Sequence, residues 1–261
     1  MTKQVLEFCI TELDQHILTV TINRPAVMNA LHSPANFELE RVFNDFSADP
    51  DQWVAILTGA GDRAFSAGND LKYQADGGKL EAVPNGFAGL TSRFDCNKPL
   101  IAAVNGVAMG GGFEIALACD LIIAADNAVF ALPEPRVGLA ALAGGLHRLP
   151  RQVGLKPAMG MILTGRRVSA AEGERLGFIN EVVPQAELMA AAQRWARQIL
   201  ECSPASIRAS KASVLAGLND ADLQRAMAQR VPEVDQLFRS ADFVEGPKAF
   251  AEKRPPRWQG N

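Results

Sequence analysis

Apolar and polar residues alternate at the start of the chain, in Val5-Leu6-Glu7-Phe8 and again in Ile17-Leu18-Thr19-Val20-Thr21-Ile22, with Asp14-Gln15 between them as a turn. That pattern predicts a β-hairpin. The spacing then changes. Phe37, Leu39, Val42, Phe43 and Phe46 fall mostly on one helical face behind Ser33-Pro34, which reads as an N-cap followed by proline in the first turn. This helix is expected to end near Asp49-Pro50. Short apolar runs closed by glycine follow: Trp53-Val54-Ala55-Ile56-Leu57-Thr58 before Gly59-Ala60-Gly61, and Pro99-Leu100-Ile101-Ala102-Ala103-Val104 before Asn105-Gly106. Asp120-Leu121-Ile122-Ile123-Ala124-Ala125 is a third run and Ala128-Val129-Phe130-Ala131 a shorter fourth. Strands alternating with helices predict an α/β chain. Beyond Pro184 no strand-like run occurs, and residues 186–200, 204–215 and 222–238 read as helices. Gly77-Gly78, within residues 73–86, marks a mobile loop rather than a linker.

At 261 residues the chain fits one large core, or a core with a small appended unit, because domains beyond roughly 250 residues begin to split. Any boundary is expected near residue 200. With 48% apolar and 21% charged residues the composition is that of a globular protein with a packed interior. A net charge of -3 gives no overall attraction to nucleic acid or an anionic membrane. The longest apolar run, residues 115–125, is interrupted by Asp120 and is too short to span a bilayer. Cys9, Cys96, Cys119 and Cys202 lie far apart without a CxxC pair, and residues 1–7 lack the pattern of a signal peptide, so free thiols and a cytoplasmic location are expected.

Three stretches carry candidate chemistry. Gly59-Ala60-Gly61-Asp62-Arg63-Ala64 fits a dinucleotide fingerprint after a strand, but Phe65-Ser66-Ala67-Gly68-Asn69-Asp70 follows it as loop instead of the helix that a pyrophosphate needs. Ala64-Phe65-Ser66-Ala67-Gly68 approaches a nucleophile elbow, yet it too lacks the following helix, and only His147 lies downstream as a base. A structural glycine turn is the plainer alternative. In the second stretch Gly110-Gly111-Gly112 opens a helix beginning Phe113-Glu114, leaving amide groups accessible at a weakly positive helix end. Glu114, three residues past Gly111, falls on roughly the same side of the first turn. Close helix-sheet packing would account for the glycines equally well. The third stretch is Leu132-Pro133-Glu134-Pro135, whose prolines are expected to hold Glu134 on an extended, non-helical backbone. Alone it reads as a loop carboxylate. Two fixed carboxylates converging on one water would instead allow one to keep a proton while the other acts as base.

Taken in order, these stretches resemble the crotonase, or enoyl-CoA hydratase/isomerase, family. The resemblance runs from Asn23-Arg24-Pro25 and Asn29-Ala30-Leu31 through residues 65–71, 98–118, 120–126 and 130–138 to Thr164-Gly165-Arg166, residues 171–183 and 250–254, covering nearly the whole chain. It implies a spiral of ββα turns over residues 1–200 and a helical C-terminal region over 201–261 that mediates a trimer, with two trimers stacked as a hexamer. It also implies an oxyanion hole from the backbone N–H groups of Asn69 and Gly111 around a thioester carbonyl. Glu134 would be the acid at the α-carbon, and Glu114 the partner that orients or deprotonates water. The resemblance places coenzyme A along Arg24, Val27, Met28, Ala67, Asp70 and Leu71, with Phe250 and Lys253 contributed by the C-terminal end, Lys253 from a neighbouring subunit. Phe87, Leu139 and Leu142 would line the acyl pocket.

The activity so implied is reversible hydration of a 2-enoyl-CoA, with the coenzyme A thioester as substrate and neither metal nor redox cofactor. An enoyl-CoA isomerase and a non-catalytic binder of coenzyme A esters remain the alternatives. Gly86-Phe87-Ala88-Gly89-Leu90-Thr91 and Glu245-Gly246-Pro247 look most like the carnitinyl-CoA dehydratase branch. The segment Leu139-Ala140-Ala141-Leu142-Ala143 departs from the family, which commonly has proline, then glycine or aspartate, before Gly144-Gly145; Leu146 stands where threonine is frequent. That wall is more apolar than usual, which favours a simple or aromatic enoyl group over a cationic one, with Phe87 and Phe94 the residues left to line a cation site.

Overall fold

The computed structural model describes residues 2–260. Three strands open the chain: β1 (Thr2–Val5), β2 (Cys9–Asp14) and β3 (Ile17–Ile22), each antiparallel to the next. The hairpin exists, but its first arm is Cys9–Asp14, while Val5 ends β1 and residues 6–8 form the bend before β2. A buried glutamate holds that bend. Glu38 accepts the amides of Glu7 (3.1 Å) and Phe8 (2.8 Å) from helix α1 (Ser33–Ala48). The N-cap of α1 is His32, and Ser33 lies inside the first turn, where its hydroxyl donates to Lys79 O (2.7 Å) and accepts from Glu81 N (3.0 Å). At the other end Lys98 Nζ donates to the carbonyls of Phe46 and Asp49, which are left open where the helix stops.

A repeated unit follows. β4 (Val54–Gly59) and β5 (Ala64–Ser66) lead to α2 (Leu71–Ala75); β6 (Leu100–Val104) and β7 (Val107–Met109) lead to α3 (Gly111–Ala118). In the third turn β8 (Leu121–Ala125) and β9 (Val129–Ala131) lead through a 3-10 turn to α4 (Gly145–Val153). Each turn adds its longer strand, parallel, to the main sheet and its shorter strand, also parallel, to a second sheet. The chain therefore climbs as a spiral of ββα turns. α5 (Leu155–Thr164), β10 (Val168–Ser169), α6 (Ala170–Leu176) and β11 (Glu181–Val183) complete it. The main sheet runs β1-β2-β3-β4-β6-β8-β11 and the second β10-β9-β7-β5.

Period-two alternation splits the central strands between two cores. Ala55, Leu57, Ala102, Val104, Ile122 and Ala124 face the interior between the sheets; Val54, Ile56, Ile101, Ala103, Ile123 and Ala125 face α7 (Leu188–Leu200) through Leu188, Ala191, Ala192 and Ala196. This two-sided burial explains the nearly unbroken apolar runs. α8 (Pro204–Gly217), α9 (Leu223–Ala228), α10 (Pro232–Arg239) and α11 (Ala241–Ala251) follow. The helix expected over 222–238 is thus two helices. The first stops at Ala228, where Gln229 is extended (φ -64°, ψ 134°), and Pro232 holds the preceding Val231 extended as well (φ -106°, ψ 117°) before it opens the second. Among the described residues no helix is long and apolar enough to cross a membrane, and all four cysteines are free, with Cys202 alone exposed.

Candidate active site

The first ββα turn supplies a tight loop. Ser66 is fully buried, its hydroxyl donating to Asn29 O (2.9 Å) and accepting from Gly68 N (3.1 Å). It is a structural pin with no route to act as a nucleophile, and the glycine-rich segment before it runs into β5 rather than a helix. The Gly68 Cα stands directly against the start of α3: a Cβ there would lie 2.8 Å from Gly111 N and 2.6 Å from Met109 O. Only glycine allows that approach, and the residue also takes a left-handed φ of +87°. Asn69, next in the chain, and Gly111 are thereby brought together, and neither amide has an acceptor among the described residues.

The entrance of α3 is equally crowded. A Cβ on Gly112 would be 2.0 Å from Ser66 O, and one on Gly111 2.5 Å from the Phe87 ring. Glu114, 3% exposed on the first turn, reaches the start of α4 and accepts the Gly145 amide (2.8 Å). Burial pushes its carboxyl up to about 7; amide donation from Gly145 and Ala143 and the charge of Arg148 oppose the rise, and the negative charge of Glu134 adds to it.

Glu134 does not sit on extended backbone. It is the first residue of the 3-10 turn Glu134–Val137, because the fixed φ of Pro135 suits such a turn as well as an extended segment. Its carboxyl points to Gly110, whose Cβ would lie 3.0 Å from Glu134 Oε1, and its Oε2 is buried with no hydrogen-bond partner among the described residues. Burial raises this carboxyl as well. Two acids from different turns of the spiral thus meet at one helix entrance beside two open amides. Among the described residues no three His, Cys, Asp or Glu side chains gather as metal ligands would.

The sequence model for enoyl-CoA hydratase/isomerase matches residues 12–261. The chain belongs to this family. A carnitinyl-CoA dehydratase of Escherichia coli is 46% identical over 252 residues, spanning 94% of this chain and 95% of that protein. The solved enoyl-CoA hydratase EchA1 of Mycobacterium marinum superposes with a TM-score of 0.91 at 39% identity, over 97% of this chain and 99% of that one. A carnitinyl-CoA hydratase structure from Mycobacterium avium gives 0.77 at 38%, over 98% and 100%. This crotonase-family chain is therefore an enzyme, and the relatives named are hydro-lyases.

Of the residues expected at coenzyme A, six gather where residues 24–31 run beside residues 67–71. Ala67 N donates to Met28 O (2.9 Å), Leu31 N to Gly68 O (2.8 Å) and Asp70 N to Leu31 O (3.0 Å). Val27 and Leu71 are exposed there, at 38% and 45%. Arg24 and Asp70 engage each other: a 3.0 Å ion pair, with a further bond from Arg24 to Ala30 O, ties the two loops together. Phe250 and Lys253 lie elsewhere, around the end of α11, which packs on α8 and α10; Phe250 is 88% exposed. Phe87 covers Gly111, whereas Leu139 (46%) and Leu142 (81%) project from the surface segment that follows Glu134. Sequence reasoning missed Gly145 as the donor to Glu114. Its only signal was the Gly144-Gly145 pair.

Proposed function

We propose that this enzyme reversibly adds water to a 2-enoyl-CoA, giving a 3-hydroxyacyl-CoA. One observation carries the reading: Glu114 and Glu134 converge at the glycine entrance of α3, beside the unengaged amides of Asn69 and Gly111. In this mechanism the thioester oxygen takes those two amides. Preorganised donors aimed at an oxygen that gains charge are worth about 3 kcal/mol each, because they are in place before the enolate forms. Glu114 takes a proton from the attacking water. Amides from Gly145 and Ala143 point at its carboxylate and stabilise the ionised form that a base needs. Glu134, whose Oε2 has no donor to support a charge, holds the proton delivered to the α-carbon. The pair titrates jointly, so its two apparent pKa values belong to both groups. The loops at 24–28 and 67–71 receive coenzyme A, and Lys253 reaches the ribose phosphate of a neighbouring copy's ligand.

A second reading, loss of water from a carnitinyl-CoA, is favoured by the 46% identical relatives of that name. A quaternary ammonium needs an aromatic face or a carboxylate. The Phe94 ring already has the Arg148 guanidinium over it at 5.7 Å, and Leu139 and Leu142 offer no charge. A simple enoyl group is the better fit. Crotonyl-CoA, a longer 2-enoyl-CoA and carnitinyl-CoA incubated separately with the enzyme, with mass spectrometry for gain or loss of water, test the choice. Hydration of the first two at rates well above that of carnitinyl-CoA turnover is expected; turnover of carnitinyl-CoA alone would overturn it.

A further inference from the structure

Phe87 is held by a network that touches none of the groups assigned so far. Its ring lies against Gly111, and its backbone belongs to a turn in which Gly86 (φ +75°), Ala88 (+57°) and Gly89 (+67°) all have positive φ. Left-handed backbone at alanine costs on the order of 1–2 kcal/mol, so the surroundings must impose it. Helix α1 does so. Asn36 Oδ1 accepts the Ala88 amide (2.8 Å), and Gly89 packs so closely that a Cβ would lie 2.5 Å from the Glu40 Cα. Arg93 Nε donates to Gly89 O (2.7 Å) and its Nη2 to Asn44 Oδ1 (2.7 Å), while Glu40 accepts from the Asn85 side chain (2.7 Å).

Arg93 and Glu40 form a buried ion pair at 3.6 Å, their side chains 3% and 8% exposed. Burying such a pair costs several kcal/mol per ion before attraction and hydrogen bonds offset it, and an apolar pair would often serve stability as well. Its bonds to Gly89 and Asn85 reach the segment that carries Phe87, and the bond from Arg93 to Asn44 ties that segment to α1. Fold stability alone does not account for a charged clamp at that place.

We propose that Asn36, Glu40 and Arg93 are positioning residues that act through Phe87, fixing its ring against Gly111 and so setting the length and bulk of the acyl group accepted. The inference rests on the hydratase reading above. If the turn relaxes, the ring swings from the helix entrance and space opens beside the thioester carbon chain.

The test compares kcat/KM for crotonyl-CoA and 2-decenoyl-CoA in the wild type, Phe87→Ala, Asn36→Ala and the double variant. Each single change is expected to shift the ratio toward the longer substrate by about tenfold, the scale on which an apolar pocket discriminates by size. The double variant should shift no further than the larger single one, because both act through one ring. Affinity for free coenzyme A should not change. Asn44→Ala, at an exposed position that merely loosens Arg93, provides a milder variant and should shift the ratio the same way by less. A lowered melting temperature with an unchanged ratio in Asn36→Ala and Asn44→Ala, or additive shifts in the double variant, would overturn the proposal. If the wild type hydrates no enoyl-CoA, the hydratase reading fails separately. The ratio of dissociation constants for saturated butyryl-CoA and decanoyl-CoA then reads the same clamp, with the same outcomes.

Discussion

The burial of Glu114 has a thermodynamic signature apart from catalysis. In the unfolded chain its carboxyl ionises near 4.5, and in the folded chain near 7. Between those values the unfolded state releases a proton that the folded state retains, so stability contributed by this group falls as pH rises from about 4.5 to about 7 and stays lower above. A displacement of that size corresponds to on the order of 3 kcal/mol. Glu114→Gln removes the penalty and keeps an oxygen for the Gly145 amide. Its melting temperature is therefore predicted to exceed that of the wild type at pH 8, with the gap closing toward pH 4. A gap independent of pH would contradict this account. The glycine run before Glu114 and the prolines around Glu134 drew notice to both acids, but each alone read as packing or as a loop carboxylate, and only the family resemblance joined them as a pair. Long-range pairings were not legible: Gly145, the donor to Glu114, is 31 positions from it, and in the coenzyme A loops Arg24 is 46 from Asp70.

Among the elements, α3 shows how one residue type answers to different forces. Gly112 is glycine because Ser66 O occupies the space of a side chain, whereas Gly160 in α5 has nothing within 4 Å of an added Cβ. Alanine at Gly112 must displace backbone, and a loss of about 3 kcal/mol or more is expected from that overpacking. At Gly160 it meets only the better helix propensity of alanine, a gain of up to about 1 kcal/mol. Urea unfolding of the two variants should give opposite signs; equal destabilisation would refute the packing argument. The longer strands β4, β6 and β8, and the shorter β9, were readable from their apolar runs, two of them closed by glycine, whereas the short strands β5, β7, β10 and β11 were not. The break over residues 229–231 and the 3-10 turn at Glu134 were not read, since a proline leaves open which conformation the surroundings favour for the residues before it.

For the molecule as a whole, alternation of strands and helices was enough to predict α/β architecture, and two-sided apolar strands placed the core. Which strand joins which sheet was beyond local pattern. β4 and β5 are separated by four residues yet lie in different sheets, and that division brings the loop after β5 to the entrance of α3. In the proposed mechanism the spiral's contribution is the meeting of two acids, each delivered by its own turn. Hydration of crotonyl-CoA by Glu114→Gln and Glu134→Gln, with acyl-CoA affinity measured by calorimetry on the same samples, tests this most directly. Each variant should lose at least about a hundredfold in kcat, the scale of one general acid or base, while affinity changes little. Wild-type turnover in either variant would contradict the account.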